Sequence, residues 1–138
     1  MACLTFAQAV AATGVTPRTL RGWLDRAQVA LDHDRERAGA GWRRFSTTDC
    51  VRLALVGTLV GYCVPVPRAS QIAVHVLKGY ALGDPADRLL VVWRDGDAFS
   101  HATCSIHSPP ALVARPHGVL VHIGEIAKAV ANRLVTEL

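Results

Sequence analysis

The stretch "TGVTP" at residues 13–17 constrains the fold more than any other part of the sequence. Gly14 suits the left-handed backbone conformation that commonly ends a helix. Thr16 followed by Pro17 is a helix start, because threonine caps the first turn and proline fits the first helical position. The stretch therefore predicts two helices that meet at a tight turn, which is the pattern of a helix-turn-helix.

The helix before this turn also has a marked beginning. Thr5 and Gln8 have the spacing of a capping box, so the first helix is predicted over residues 6–13. The second helix is predicted over residues 17–28. Two of its side chains are expected to anchor it in the core: Leu20 and Leu24.

Positive charge is concentrated in the same part of the chain. The formal net charge of the 138 residues is +4, and the first 52 residues hold eight arginines against five acidic residues. The first 52 residues therefore carry a formal net charge of +3. Arginine is the side chain best suited to bidentate contacts with phosphate and guanine. The clustering favours binding to nucleic acid over a merely solvated surface.

A basic hairpin is predicted after the helix-turn-helix. Residues 29–41 are polar and end in glycines, and residues 42–45 ("WRRF") form the expected returning strand. We expect Trp42 and Phe45 to fix this strand against the helices. The pair Ser46 and Asp49 then repeats the capping spacing at a new helix start. Two further helices are predicted, of which the first is apolar nearly all round: residues 47–62 and 67–78.

The pattern changes after "GDPAD" at residues 83–87, which we take as the domain boundary. "LLVVW" and "AFSHATCSI" flank the tight-turn signal "RDGD", and "ALVA" and "VLVHI" flank "RPHG", so two hairpins are predicted. A last helix is predicted over residues 124–135. The chain is therefore expected to be α+β. Residues 1–82 form a winged helix-turn-helix domain with four helices, and residues 83–138 form a small α/β region, a strand meander plus a C-terminal helix, for dimerisation or effector binding.

Two stretches in this order resemble the DNA-binding domain of the MerR family. Residues 13–27, "TGVTPRTLRGWLDRA", are similar to the family's "TGVSxRTLRYYE". Residues 41–53, "GWRRFSTTDCVRL", are similar to its "GYRxYSxxDLxxL", which closes the wing. Six positions fall on that second pattern: Gly41, Trp42, Arg43, Phe45, Ser46 and Asp49. The resemblance covers residues 4–78 and implies a winged helix-turn-helix.

The resemblance implies that the second helix enters the major groove with its N-terminal residues toward the bases. Arg18 and Arg21 share one helical face and can reach guanine edges or phosphates. Trp23 either packs under the wing or lies along the sugar-phosphate backbone. Arg43 and Arg44 alternate on the predicted strand, so only one can face the DNA directly. By similarity to "GYR", Arg43 is the expected phosphate contact of the wing, and Arg44 either reaches a neighbouring phosphate or is solvated. The predicted DNA-binding residues are Thr16, Pro17, Arg18, Thr19, Arg21, Trp23, Arg43 and Arg44.

The sequence departs from the family at two places. Gly22 and Trp23 stand where the family often has two tyrosines, which is also similar to the excisionase-type branch of winged helices. The long dimerising coiled coil of family regulators is replaced by predicted strands. We therefore expect residues 83–138 to form the contact between two copies of the chain.

Catalytic and metal chemistry have no strong signal. On a strand, His101 and His107 of "HATCSIH" point to the face opposite Cys104, which argues against one shared site. Asp95 and Asp97 are explained as turn residues beside a glycine. The four scattered cysteines are expected to be reduced thiols in the core. We expect no enzyme activity, no metal and no cofactor.

These observations predict a small cytoplasmic, sequence-specific DNA-binding protein, a bacterial transcription regulator whose partners are double-stranded DNA and a second copy of the chain. The start "MACLTFAQAV" lacks the basic and apolar regions of a signal peptide. No membrane partner is expected, and no pattern identifies a small-molecule effector. Two alternatives stay open: an excisionase-like or phage-encoded DNA-architectural factor, and a protein-interaction module without DNA binding.

Overall fold

The structure is a computed structural model that describes residues 4–31, 44–78, 88–107 and 118–137. These residues form helices and an antiparallel sheet, so the α+β prediction is confirmed. In chain order the elements are α1 Phe6–Thr13, α2 Pro17–Asp25, α3 Thr47–Gly61, α4 Val66–Lys78, β1 Arg88–Asp95, β2 Ala98–Ser105, β3 Val119–His122 and α5 Ile123–Glu137.

The predicted turn between α1 and α2 is confirmed in detail. The Thr5 hydroxyl accepts a hydrogen bond from the Gln8 amide, and the Gln8 side chain accepts one from the Thr5 amide, which completes the capping box. Gly14 ends α1 at φ 74° and donates its amide to Val10. Thr16 then caps α2. Each local signal in the sequence therefore acts at its expected position.

The second helix is shorter than predicted. α2 ends at Asp25, and the chain leaves the helical path at Ala27, which has φ 50°. The Gln28 amide donates to the carbonyl oxygen of Trp23 at 2.9 Å, which closes the helix end. The prediction of a helix to residue 28 was wrong because this turn carries Val29 into the core, where it is buried.

α3 is the central helix, as its apolar sequence predicts. Ser46 and Asp49 form a second capping box at its start, and both side chains are buried. Its apolar residues are buried on several sides because α3 packs against α1, α4 and α5. Among the described residues, no helix combines the length and the apolar character that crossing a bilayer requires.

α4 begins one residue earlier than predicted and ends at the expected position. Its predicted apolar face is buried at the four positions that the structure describes: Ala69, Ile72, Ala73 and Val76. Gly79 and Tyr80, the expected stop and the last residue of that face, lie outside the described residues. This face packs on α3 and completes the four predicted N-terminal helices.

The three strands form an antiparallel sheet in the order β2-β1-β3. The predicted first hairpin is confirmed: β1 and β2 pair from Arg88 with Ser105 to Asp95 with Ala98, and Gly96 makes the turn at φ 66°. β3 pairs with the other edge of β1. The "ALVA" half of the second predicted hairpin lies outside the described residues.

α5 joins the C-terminal elements to the N-terminal helices. Its apolar residues pack against α1 and α3, and its predicted inner face is confirmed by their burial or partial burial: Ile123, Ile126, Ala127, Val130 and Leu134. One apolar cluster thus holds residues from α1 to α5 and from the sheet. The predicted boundary at residues 83–87 lies outside the described residues, and the division at residue 82 stays a prediction.

Candidate nucleic-acid interface

The start of α2 presents a polar face to solvent. Five of the predicted DNA-binding residues lie here and all are exposed: Thr16, Pro17, Arg18, Thr19 and Arg21. The opposite face is buried in the core through Leu20 and Leu24, as predicted. The buried face fixes the helix, so the exposed side chains are carried on a rigid support.

Two hydroxyl groups are paired at the first turn of α2. The Thr16 hydroxyl accepts a hydrogen bond from the Thr19 amide at 3.3 Å and donates one to the Thr19 hydroxyl at 2.8 Å. Both side chains are exposed. A helix N-terminus carries a partial positive charge, so this arrangement is suited to a phosphate oxygen.

Arg21 is held by an aromatic contact that connects α2 to the end of the predicted wing. Its guanidinium lies 5.2 Å from the centre of the Phe6 ring, and that ring lies 6.4 Å from the ring of Phe45. Phe45 is fully buried. Phe6 of α1 therefore contacts both the Arg21 guanidinium and the ring of Phe45, the last residue of the predicted returning strand.

The base of the wing is fixed by a short antiparallel bridge. Leu4 and Phe45 exchange two backbone hydrogen bonds of 2.7 and 3.0 Å. Phe45 packs against Phe6 of α1, as expected, whereas Trp42 and Arg43 lie outside the described residues and the returning strand stays a prediction. Arg44, directly before the bridge, is exposed.

Trp23 is a core side chain and only 6% exposed. It lies beside Gly57 of α3, where a Cβ atom added to the glycine would lie 4.0 Å from the indole. The burial of Trp23 supports a packing role for the ring and not a contact with the sugar-phosphate backbone. A ring that lies along the sugar-phosphate backbone needs an exposed face, and nearly all of the Trp23 side chain is buried.

The order of these elements matches a known family. The family model of MerR HTH regulatory proteins matches residues 4–73, about half of the chain. The chain belongs to the MerR family. The match covers α1, α2, α3 and most of α4, so it coincides with the geometry described above. A comparison with curated proteins finds no match.

Membership in the MerR family makes this chain a DNA-binding regulator of the helix-turn-helix type. Family regulators are not enzymes. Among the described residues, no three His, Cys, Asp or Glu side chains are grouped so that they could hold a metal ion.

Gly22, one of the departures from the MerR pattern, makes room for another arginine. A Cβ at this position would lie 2.9 Å from Nη2 of Arg26, so the Arg26 side chain lies back across the glycine. Arg26 follows the last residue of α2, is exposed, and adds a cation at this end of the helix that the predicted site did not include. A glycine four residues before an arginine was the signal that could have identified it.

A second missed contact connects the two ends of the MerR-family chain. Nη1 of Arg133 in α5 donates a hydrogen bond to the carbonyl oxygen of Ala12 at 3.2 Å. The same nitrogen lies 3.3 Å from the Cβ position of Gly14, in the turn before α2. No local sequence signal predicts a contact between residues 121 positions apart.

The histidines of α4 and β2 also meet, which the sequence did not indicate. The rings of His75 and His101 are 5.2 Å apart in an edge-on arrangement. Nearby, Arg68 donates two hydrogen bonds to the carbonyl oxygen of Phe99, at 3.1 and 2.8 Å. Burial, then the charge of Arg68, then His75 lower the pKa of His101.

The cysteines agree only partly with the predicted core thiols. Cys50 is fully buried in α3, and burial together with the charge of Asp49 raises its pKa to about 12. Cys63 is exposed at φ 71°, so its predicted core position was wrong. Cys104 is half-buried, and Cys3 lies outside the described residues. The high pKa makes Cys50 a poor nucleophile or metal ligand.

Proposed function

We propose that this chain is a bacterial transcription regulator that binds a specific DNA sequence. The observation that supports it is the exposed face of α2, which carries Arg18 and Arg21 at helical spacing beside the Thr16–Thr19 hydroxyl pair. α2 enters the major groove by its N-terminal turn, and its buried leucines hold it on the core.

Each residue has a distinct role in this proposal. Arg18 and Arg21 read guanine edges, which offer two acceptors to a guanidinium. Thr16 and Thr19 bind a phosphate and fix the register of α2, with Pro17 at the helix start. Trp23 supports α2 from the core. On the wing, Arg43 and its exposed neighbour Arg44 bind flanking phosphates.

The proposed regulator acts as a homodimer in the cytoplasm. One winged helix has a small footprint, so specific recognition favours two copies on paired half-sites. The sheet and α5, within residues 83–138, provide the contact between the copies. This replaces the coiled coil that other family regulators use.

The proposal is tested by mapping the sites bound across the genome and measuring affinity for those fragments at two salt concentrations. Affinity should fall steeply as salt rises, because bound arginines release counterions from DNA. Arg18→Ala should cost about 1–3 kcal/mol on the best site and relax its sequence preference. Arg43→Ala should weaken all sites and reduce the salt slope by about one unit.

A matched control removes the same charge elsewhere. Lys78 is exposed at the end of α4, outside the proposed DNA and dimer contacts, and Lys78→Ala should leave both affinity and salt slope unchanged. An equal effect of the Arg18 and Lys78 variants would indicate attraction by net charge alone. Several adjacent sites with bent DNA would favour an architectural factor, and an intact dimer without DNA binding would favour a protein-interaction module.

A further inference from the structure

A groove lies between the helix-turn-helix and the C-terminal half of α3. Its volume is about 430 Å³, within the range of small-molecule sites. We call it the turn groove. Its walls include an apolar set and a hydroxyl pair: Val15, Trp23, Val60, Gly61, Thr16 and Thr19. The turn groove therefore has the start of the proposed DNA-reading helix as one of its sides.

Gly61 lies at an exposed side of this groove, and its packing does not require a glycine. A Cβ at Gly61 would meet nothing within 4 Å, whereas a Cβ at Gly57 would lie 3.3 Å from Cγ2 of Val15. The left-handed residue after α3 is Cys63, so the backbone at Gly61 does not require glycine either. Helical glycine is less stable than alanine. A larger side chain can therefore be placed at this side of the groove without meeting other atoms of the chain at its Cβ.

The lining determines which chemistry fits. None of the charged side chains that the structure describes lines the turn groove. The hydroxyl groups of its walls have partners within the chain: Thr16 pairs with Thr19, and Thr58 donates to the carbonyl oxygen of Ala54. A DNA phosphate at the exposed start of α2 has Arg18 and Arg21 beside it, whereas a charged ligand held within the groove would lose hydration without compensation. The complementary occupant is uncharged and mainly apolar.

We infer that the turn groove is a binding site for a small, uncharged, mainly apolar molecule that carries one polar hydrogen. The edge of Trp23 and the side chains of Val15 and Val60 contact its apolar surface, and the hydroxyls of Thr16 and Thr19 accept one polar hydrogen. Resting on the proposed function, this ligand also weakens DNA binding, because it contacts the side chains that are proposed to bind a phosphate.

Indole is a suitable probe, because it is neutral, has two fused rings and carries one N–H donor. Indole is titrated into the full chain without DNA, and the amide signals of Gly57, Thr58 and Gly61 are followed by NMR. We expect those signals to shift with a dissociation constant of about 1 mM or tighter. No shift at these amides up to about 5 mM indole, roughly five times that value, would overturn the site.

Gly61→Phe places a large side chain at the lining of the groove without disturbing the core, because a Cβ there meets nothing within 4 Å. We expect it to weaken indole binding by about tenfold or more, since occupied space excludes the ligand. Gly61→Leu gives the same readout with a smaller side chain if the phenylalanine variant does not fold. Ala131→Phe, on an exposed face of α5, is the matched control and should bind indole like the unaltered chain. Equal binding by all three variants would overturn the assignment.

The regulatory part has a separate readout. Saturating indole should lower the affinity for a mapped DNA site in the unaltered chain and leave it unchanged in Gly61→Phe. If indole binds but DNA affinity does not change, the proposed effect of the ligand on DNA binding is wrong, whereas the proposed binding site stands. A chain that binds indole but no DNA contradicts the proposed function instead, so the two failures are distinguishable.

Discussion

Arg133 of α5 donates a hydrogen bond to the carbonyl oxygen of Ala12, and thereby ties the last helix to the end of the first. The last carbonyls of a helix have no partner within it, and a cation there also interacts favourably with the helix dipole. The contact lies beside Gly14, in the turn that orients α2. The C-terminal helix is therefore a structural part of the helix-turn-helix unit.

Arg133→Ala should lower the free energy of unfolding by about 1 kcal/mol, because it removes one charge-assisted hydrogen bond at a partly exposed site. Urea denaturation followed by circular dichroism measures the change. Arg133→Lys should recover part of the loss through its charge. Lys128→Ala, on the exposed face of the same helix, is the control and should change stability little. Equal losses in the two alanine variants would contradict the role of the Ala12 contact.

Substitution of two glycines by alanine should change the free energy of unfolding in opposite directions. Gly14→Ala should destabilise the fold by about 1–2 kcal/mol, because an alanine at φ 74° is strained and its Cβ would lie 3.3 Å from Arg133. Gly61→Ala should stabilise it by about 0.5 kcal/mol, because the position is helical and open. Thermal and urea unfolding of both variants provide the comparison. A loss of stability in Gly61→Ala would show that packing requires that glycine.

The two capping boxes should differ in strength because only one is buried. Asp49→Ala should cost about 2–3 kcal/mol, since the carboxylate is fully buried, accepts the Ser46 amide and lies 3.7 Å from Arg52. Gln8→Ala removes the corresponding bond of the exposed box and should cost about 0.5 kcal/mol. Urea unfolding of the two variants measures both losses of stability and shows whether the buried cap contributes more. Similar losses would mean that burial does not set the strength of these caps.

Stability should fall as the pH is lowered through the titration of His101. Its pKa is lowered in the folded chain from an ordinary value of 6.5, so the unfolded chain takes up the proton first. The stabilisation of the neutral form is complete above about pH 6.5 and declines below it. Unfolding free energies between about pH 7.5 and 5.5 should therefore fall less in His101→Gln. Equal pH dependence in the unaltered chain and in His101→Gln would contradict the effect of burial and of Arg68.

Much of the helix-turn-helix was determined by the sequence alone. Thr5 with Gln8, Gly14, Thr16 with Pro17, and Ser46 with Asp49 are local signals, because a cap satisfies hydrogen-bond donors within three residues of itself. The hairpin at Gly96 is local for the same reason. The order of these signals also identified the family. The DNA contacts assigned to the arginines remain predictions that depend on this order.

The tertiary structure decided every relationship between residues distant in sequence. Arg133 reaches Ala12, His75 meets His101, and Phe6 connects Arg21 to Phe45 only because packed helices bring them together. The early end of α2 and the burial of Trp23 likewise follow from competition for the core. A sequence pattern records which face of an element is apolar, but the partner of that face is chosen by packing the whole chain.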